Sequence, residues 1–113
     1  MIHVTFDEAR SFEPAGHEGV RNRLLVGRED HGVTDVGVWH GTFGPGGHAD
    51  RHVHDGATQV YVVLSGSFTA GSPEDQRQLG VYDTVIVGPG EDHVIRAGED
   101  GGTIMVITAP ALR

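Results

Sequence analysis

Short runs along this chain alternate apolar and polar residues with a period of two, and glycine- and proline-rich turns separate them, which predicts strands rather than helices. Ile2–Phe6 alternates in this way and reads as an edge strand; Arg23–Gly27 reads as a short strand, with Arg28–Gly32 as its charged turn. Over Val33–Phe43 one face carries Val36, Val38, His40 and Thr42 and the other Gly37, Trp39, Gly41 and Phe43. The pattern leaves open which of the two looks inward. Gly44-Pro45-Gly46-Gly47 predicts a reversal, because proline fixes its own φ and glycine tolerates positive φ. In Gln59–Leu64 both faces are rich in apolar residues, with Gln59, Tyr61 and Val63 on one and Val60, Val62 and Leu64 on the other, which predicts a central strand covered on its back. Gly71–Gln78 holds a weak helix start at Ser72-Pro73-Glu74 but is short enough to be a hairpin connection. Leu79–Val81, Thr84–Val87, His93–Arg96 and Thr103–Thr108 bring the strands to about nine, spaced as in an all-β sandwich or barrel.

Composition narrows the function. At 113 residues the chain is expected to be a single domain, residues 1–113. All eight basic residues are arginine and the net charge is −8, so nucleic acid and acidic membrane are not expected partners. The absence of cysteine removes disulfides, thiolate metal sites and thiol nucleophiles, leaving His, Asp, Glu and neutral oxygens as possible ligands and pointing to a cytoplasmic location. No apolar run approaches the roughly 18 residues of a membrane span, and Met1–Glu18 lacks the basic start and apolar centre of a signal peptide. A soluble, unprocessed protein is the expectation.

The chemistry concentrates between Gly46 and Gly66. His52 and His54 stand two apart, a spacing that aims both imidazoles to one side of a strand, and Gln59 follows after the turn Asp55-Gly56-Ala57. His93 lies far along the chain behind Gly88-Pro89-Gly90-Glu91-Asp92, a run able to swing a strand back over the first pair. This is a metal-ligand pattern.

These residues resemble the motifs of a small cupin, a jelly-roll β-barrel that holds its metal among inward-facing strand residues. The first cupin motif is matched by Gly46, His52, His54 and Gly66, with Gln59 standing where the family usually has Glu. The second is matched by Asp83, Gly90 and His93, while Tyr82, Gly88 and Ala97 depart from its Gly, Pro and Asn. The resemblance implies one divalent metal on His52, His54, His93 and Gln59, with zinc favoured and manganese, iron or nickel as alternatives. Such a ligand set adds no charge to the ion, which argues for substrate polarisation over oxygen activation. Among small cupins the site is similar to that of the zinc-containing aromatic polyketide cyclases and, less closely, the manganese hydroxynitrile lyases. A metal-dependent dioxygenase and a non-catalytic metal- or ligand-binding cupin are the rival readings.

The resemblance to the cyclases implies a small oxygenated, polyketide-like aromatic substrate, which suits a pocket lined by Tyr61, Val63 and Trp39. His40 and Tyr61 are the candidate catalytic residues: His40 as a further ligand or general base, Tyr61 as a hydroxyl donor to a substrate oxygen. His48 shares strand parity with His52 but lies roughly 13 Å along an extended chain, so it reaches the metal only if the chain bends. His3, His17 and His31 fall in edge or loop contexts and read as solvated. The apolar central strands and the edge at Ile2–Phe6 predict a homodimer.

Overall fold

The computed structural model describes residues 1–113 as seven antiparallel strands and a single helical turn. In chain order these are β1 (Ser11–Phe12), β2 (His17–Val26), α1 (Arg28–His31), β3 (Gly37–His52), β4 (Thr58–Gly71), β5 (Gln76–Leu79), β6 (Thr84–Val87) and β7 (His93–Ala109). Hydrogen bonding orders them β1-β2-β3-β7-β4-β5, with β6 pairing on β4. The last long strand thus lies between β3 and β4, the crossover of a jelly-roll barrel. No helix is long and apolar enough to cross a membrane.

Three long strands each serve both halves of the barrel. Gly37–Phe43 of β3 pairs with Gly102–Thr108 of β7, then a register shift intervenes, and His48–His52 pairs with His93–Arg96 of the same strand. β4 repeats the arrangement, Thr58–Gly66 pairing with Gly102–Ala109 and Phe68–Gly71 with Val94–Ala97. The bends are made by glycines in the left-handed region: φ is 66° at Gly46, 75° at Gly66 and 71° at Gly101. At Gly66 and Gly101 a side chain is also excluded by space, since a Cβ on Gly66 would strike the Gly101 carbonyl oxygen and one on Gly101 the Phe43 carbonyl oxygen. Close-packed backbone of this kind re-aims a strand without ending it.

The sequence reading therefore needs several corrections. Gly44–Gly47 is a bend within β3 and makes no reversal, because β2 and β7 flank the strand on both sides of it. His93–Arg96 and Thr103–Thr108 are two ends of one strand. Ile2–Phe6 forms no strand, so it offers no edge of the kind on which the homodimer expectation partly rested. Arg28–His31 is a helical turn closed by Gly32 at φ 68°, and Leu79 ends β5 instead of opening a strand. Gly71–Gln78 contains no helix, as expected.

The inward face of β3 is the one carrying Gly37, Trp39, Gly41 and Phe43. With Leu24, Tyr61, Val63, Phe68, Ile95, Ile104 and Val106 these residues build the core, in which Phe43 and Phe68 meet edge to face at 5.1 Å. Each fully buried large apolar side chain contributes roughly 1.5–3 kcal/mol. Val60, Val62 and Leu64 are only half-buried, so the back of β4 is covered in part.

Candidate metal centre

β3 ends at His52, and β7 begins at His93, its direct partner in the ladder. The pairing brings residues 41 positions apart into one place. His54 sits in the loop beyond β3, which is fastened to the turn before β7 by a hydrogen bond from the Gly90 amide to the His54 carbonyl, 3.1 Å. Ring centroids lie 4.0 Å apart for His52 and His93, 4.9 Å for His52 and His54, and 5.6 Å for His54 and His93. One ring nitrogen from each can be chosen so that all three atoms fall within 4.8 Å of one another. Gln59, second residue of β4, is 2% exposed and lines the same cavity.

Hydrogen bonds set the rings' tautomers. The Nδ1 atoms of His52 and His93 lie 2.7 and 3.1 Å from the carbonyls of Asp50 and Glu91. A carbonyl only accepts, so each Nδ1 carries the proton and each Nε2 keeps a free lone pair, the form in which imidazole binds a metal. Burial lowers the proton affinity of His93 to a pKa of about 4, assisted by the neighbouring His52 and His54 and opposed by the hydrogen bond to Glu91. Burial first and then the charges of His52, His17 and Arg113 lower His54 as well. His93 and His54 are thus biased toward the neutral form.

The residues fit a divalent cation by one further observation. His93 Nε2 and Gln59 Oε1 are buried and have no hydrogen-bond partner in the protein. Leaving two acceptors unsatisfied costs about 1–3 kcal/mol each, and a cation satisfies both at once.

Above the histidines opens a cavity of about 490 Å³ lined by Trp39, Phe43, Ile104 and Val106 among its apolar residues and by Asn22, Gln59 and Tyr61 among its polar ones. Tyr61 packs 5.9 Å from the His93 ring and makes no hydrogen bond within the chain. Burial raises its hydroxyl pKa, so it remains a proton donor and does not act as a base near neutral pH.

Two other expectations are corrected. His40 lies on the outward face of β3, where its ring meets Phe6 edge-on at 5.0 Å, and it does not line the cavity. Strand alternation puts it on the far side from Trp39, so it is placed neither as a ligand nor as a base. His48 also points outward, 3.4 Å from Asp50 and 3.8 Å from Glu18. The opposite error concerns His17, read as solvated. It opens β2 directly across from Ala49 of β3, lines the cavity, and stands 5.7 Å from the His52 ring. Its Nδ1 donates to the Ala15 carbonyl at 2.9 Å, and burial lowers its pKa.

Comparison with known proteins extends this picture. A family model described as auxin binding protein matches residues 9–79. Auxin-binding protein 5 from Zea mays is 39% identical over 54 residues, covering 48% of this chain and 35% of that protein, so the match spans about a third of the curated relative. Among solved structures, an RmlC-like cupin from Shewanella frigidimarina superposes with a TM-score of 0.81 at 21% identity, covering 100% of this chain and 95% of the other. The polyketide cyclase RemF from Streptomyces resistomycificus superposes with a TM-score of 0.81 at 20% identity, over 97% of this chain and 79% of RemF. Likenesses at these identities establish the fold, a single cupin barrel.

Proposed function

This chain belongs to the auxin-binding protein family, and on that premise and the geometry of its site we propose that it is a metal-dependent cupin enzyme, of cyclase or lyase type, acting on a small oxygenated aromatic molecule. His52, His54, His93 and Gln59 would hold one divalent ion, with zinc favoured. When bound, such an ion acts as a Lewis acid that polarises a carbonyl oxygen. The observation that carries the reading is the pair of buried, unpartnered acceptors on His93 and Gln59, beside an aromatic-walled cavity that Gln59, His52 and His54 line.

The chain's own residues supply the rest. Trp39 and Phe43 offer flat apolar walls that orient an aromatic ring and keep water from it. Tyr61, held protonated by burial, donates a hydrogen bond to a substrate oxygen. His17 takes the proton-moving role for which His40 is misplaced, since its Nδ1 is occupied by Ala15 and its Nε2 remains available.

A second reading is favoured by the family match itself: a non-catalytic cupin that binds a small aromatic ligand, as the name of the Zea mays relative says of that protein. Saturable quenching of Trp39 fluorescence by an auxin, with the ligand recovered unchanged, would favour it. Oxygen uptake during turnover would instead mark a dioxygenase.

The primary test is elemental analysis of protein purified without chelators. About one divalent ion per chain is expected, falling to near zero in His52→Ala and kept in His17→Gln, which loses turnover alone. A fully loaded His52→Ala variant, or native protein devoid of metal, would remove the reading's foundation.

A further inference from the structure

We propose that the outer face of the sheet formed by β3, β7, β4 and β6 is an interface on which a second copy of this chain docks, sheet against sheet, about a two-fold axis. The inference concerns the outside of the barrel and stands whether or not the cavity holds an ion or a ligand.

Strand alternation builds the face. Residues of these four strands that do not fill the core point outward, and the ladder aligns them in rows. One row crosses the strands as Val38, Ile107, Val60 and Ile86, each the direct partner of the next. The adjoining row runs through His40, Met105, Val62 and Thr84 by the same pairings. On β3, β7 and β4 these side chains are only half-buried, and on β6 Ile86 is 71% exposed.

The apolar surface continues past β3. Phe6 sets its ring edge-on to His40 at 5.0 Å, and Arg23 fixes it there. The Arg23 guanidinium lies 4.8 Å from the centroid of the Phe6 ring and donates to the Phe6 and Asp7 carbonyls at 2.9 and 3.2 Å. Phe6 itself is 46% exposed, and Ile2 and Val4 before it are 61% and 38% exposed.

Charge selects the occupant. Two copies of a chain with net charge −8 repel wherever their acidic side chains meet. Residues 38–42, 60–64, 84–86 and 103–109 include no Asp, Glu, Lys or Arg, and burial disfavours the charged form of His40. An acidic partner finds no cation between β3 and β6, and a basic one is drawn to the acidic surface elsewhere. A second neutral sheet meets neither obstacle. Set about a two-fold axis near Met105 and Ile107, each copy's rows lie against the other's, in the packing at about 10 Å that closes a β-sandwich.

Area fixes the strength. Four strands about 4.8 Å apart and some five residues long present roughly 300 Å². A standard interface covers about 800 Å² per partner, so the sheet supplies less than half of it and the segment carrying Ile2, Val4 and Phe6 enlarges it from one side. The dimer is therefore reversible, with a dissociation constant on the order of 10 µM.

Sedimentation velocity of the whole chain between about 2 and 200 µM tests this directly, spanning that constant from below to above. Wild type should pass from one chain mass to twice that mass. Raising the salt from about 20 to 300 mM should strengthen the dimer, because it screens the like charges outside an apolar contact. Ile107→Lys, which puts a charge on a half-exposed position at the centre, should weaken it at least about tenfold, and Gln78→Lys on the exposed face of β5 should leave it unchanged. Met105→Gln adds no charge and serves if Ile107→Lys loses its native circular dichroism; it should weaken the dimer several-fold. Peroxide oxidation of Met105, timed against free methionine, should be slower at the higher protein concentration. A monomer at the highest concentration, a dimer that weakens in salt or survives both variants, or Met105 oxidation indifferent to concentration would each overturn the proposal.

Discussion

Three imidazoles gathered in one place face a charge problem, because a proton on any of them repels protons on the others and a buried ring resists charging at all. His93 resolves it by remaining neutral, with its pKa lowered from 6.5 to about 4 in the folded chain. Above pH 6.5 the ring is neutral whether folded or unfolded, and it contributes no pH dependence. As pH falls from 6.5 to 4 the unfolded chain gains a proton that the folded chain refuses, so stability is lost through that window and the loss is complete below it. His17 and His54, also lowered, act in the same direction. Metal-free wild type should therefore lose more stability than His93→Gln between pH 7 and pH 4.5, as read from urea midpoints; parallel pH profiles would show that His93 is not withheld from protonation. How far such residues were legible depended on the backbone around them. His52, His54, Gln59 and His93 were readable because their spacing survives any detail of the strands. His17 was not, because the register shift between Glu18 and Val20, with Gly19 at φ 67°, moves it to the inward face against the parity of Val20, Asn22 and Leu24. His40 failed for the simpler reason that alternation gives two faces and its strand had apolar residues on both.

At the scale of elements, the long strands owe their double duty to glycine corners, and the corners are not equivalent. Gly66→Ala must place a methyl against the Gly101 carbonyl while holding φ at 75°, so a loss of roughly 3 kcal/mol is expected. Gly46→Ala meets nothing within 4 Å at φ 66° and should cost only the left-handed backbone term, about 1–2 kcal/mol. Urea denaturation of the two variants compares them directly, and equal losses would mean that space at the corner is not limiting. The same corners explain which elements could be read in advance. Alternation located the all-β pattern and both faces of β4, but glycine-rich runs at Gly44–Gly47 and Gly98–Gly102 look in sequence like ends of strands. They are bends inside them, since only the identity of the neighbouring strands distinguishes a bulge from a turn, and that information is not local.

For the molecule as a whole, the cluster joins the end of β3, the start of β4 and the start of β7, so an ion bound there should couple to the stability of the entire barrel. Residues this far apart in sequence do not form the site in the unfolded chain, and binding to the native state alone adds stability by mass action. At zinc concentrations about a hundred times the dissociation constant the gain is about 2.7 kcal/mol. In a domain of this size that corresponds to a rise in melting temperature of roughly 10 °C. The surface complicates the experiment, because 16 acidic residues give the chain a net charge of −8 and attract cations without regard to the barrel interior. Calcium supplies the control: it prefers carboxylate and carbonyl oxygens, whereas imidazoles favour zinc. Scanning calorimetry with zinc, with calcium and with chelator should show a rise for zinc alone, absent in His52→Ala. An equal rise with calcium, or a rise that persists in His52→Ala, would place the bound ions on the acidic surface and leave the three imidazoles without a role in holding the fold.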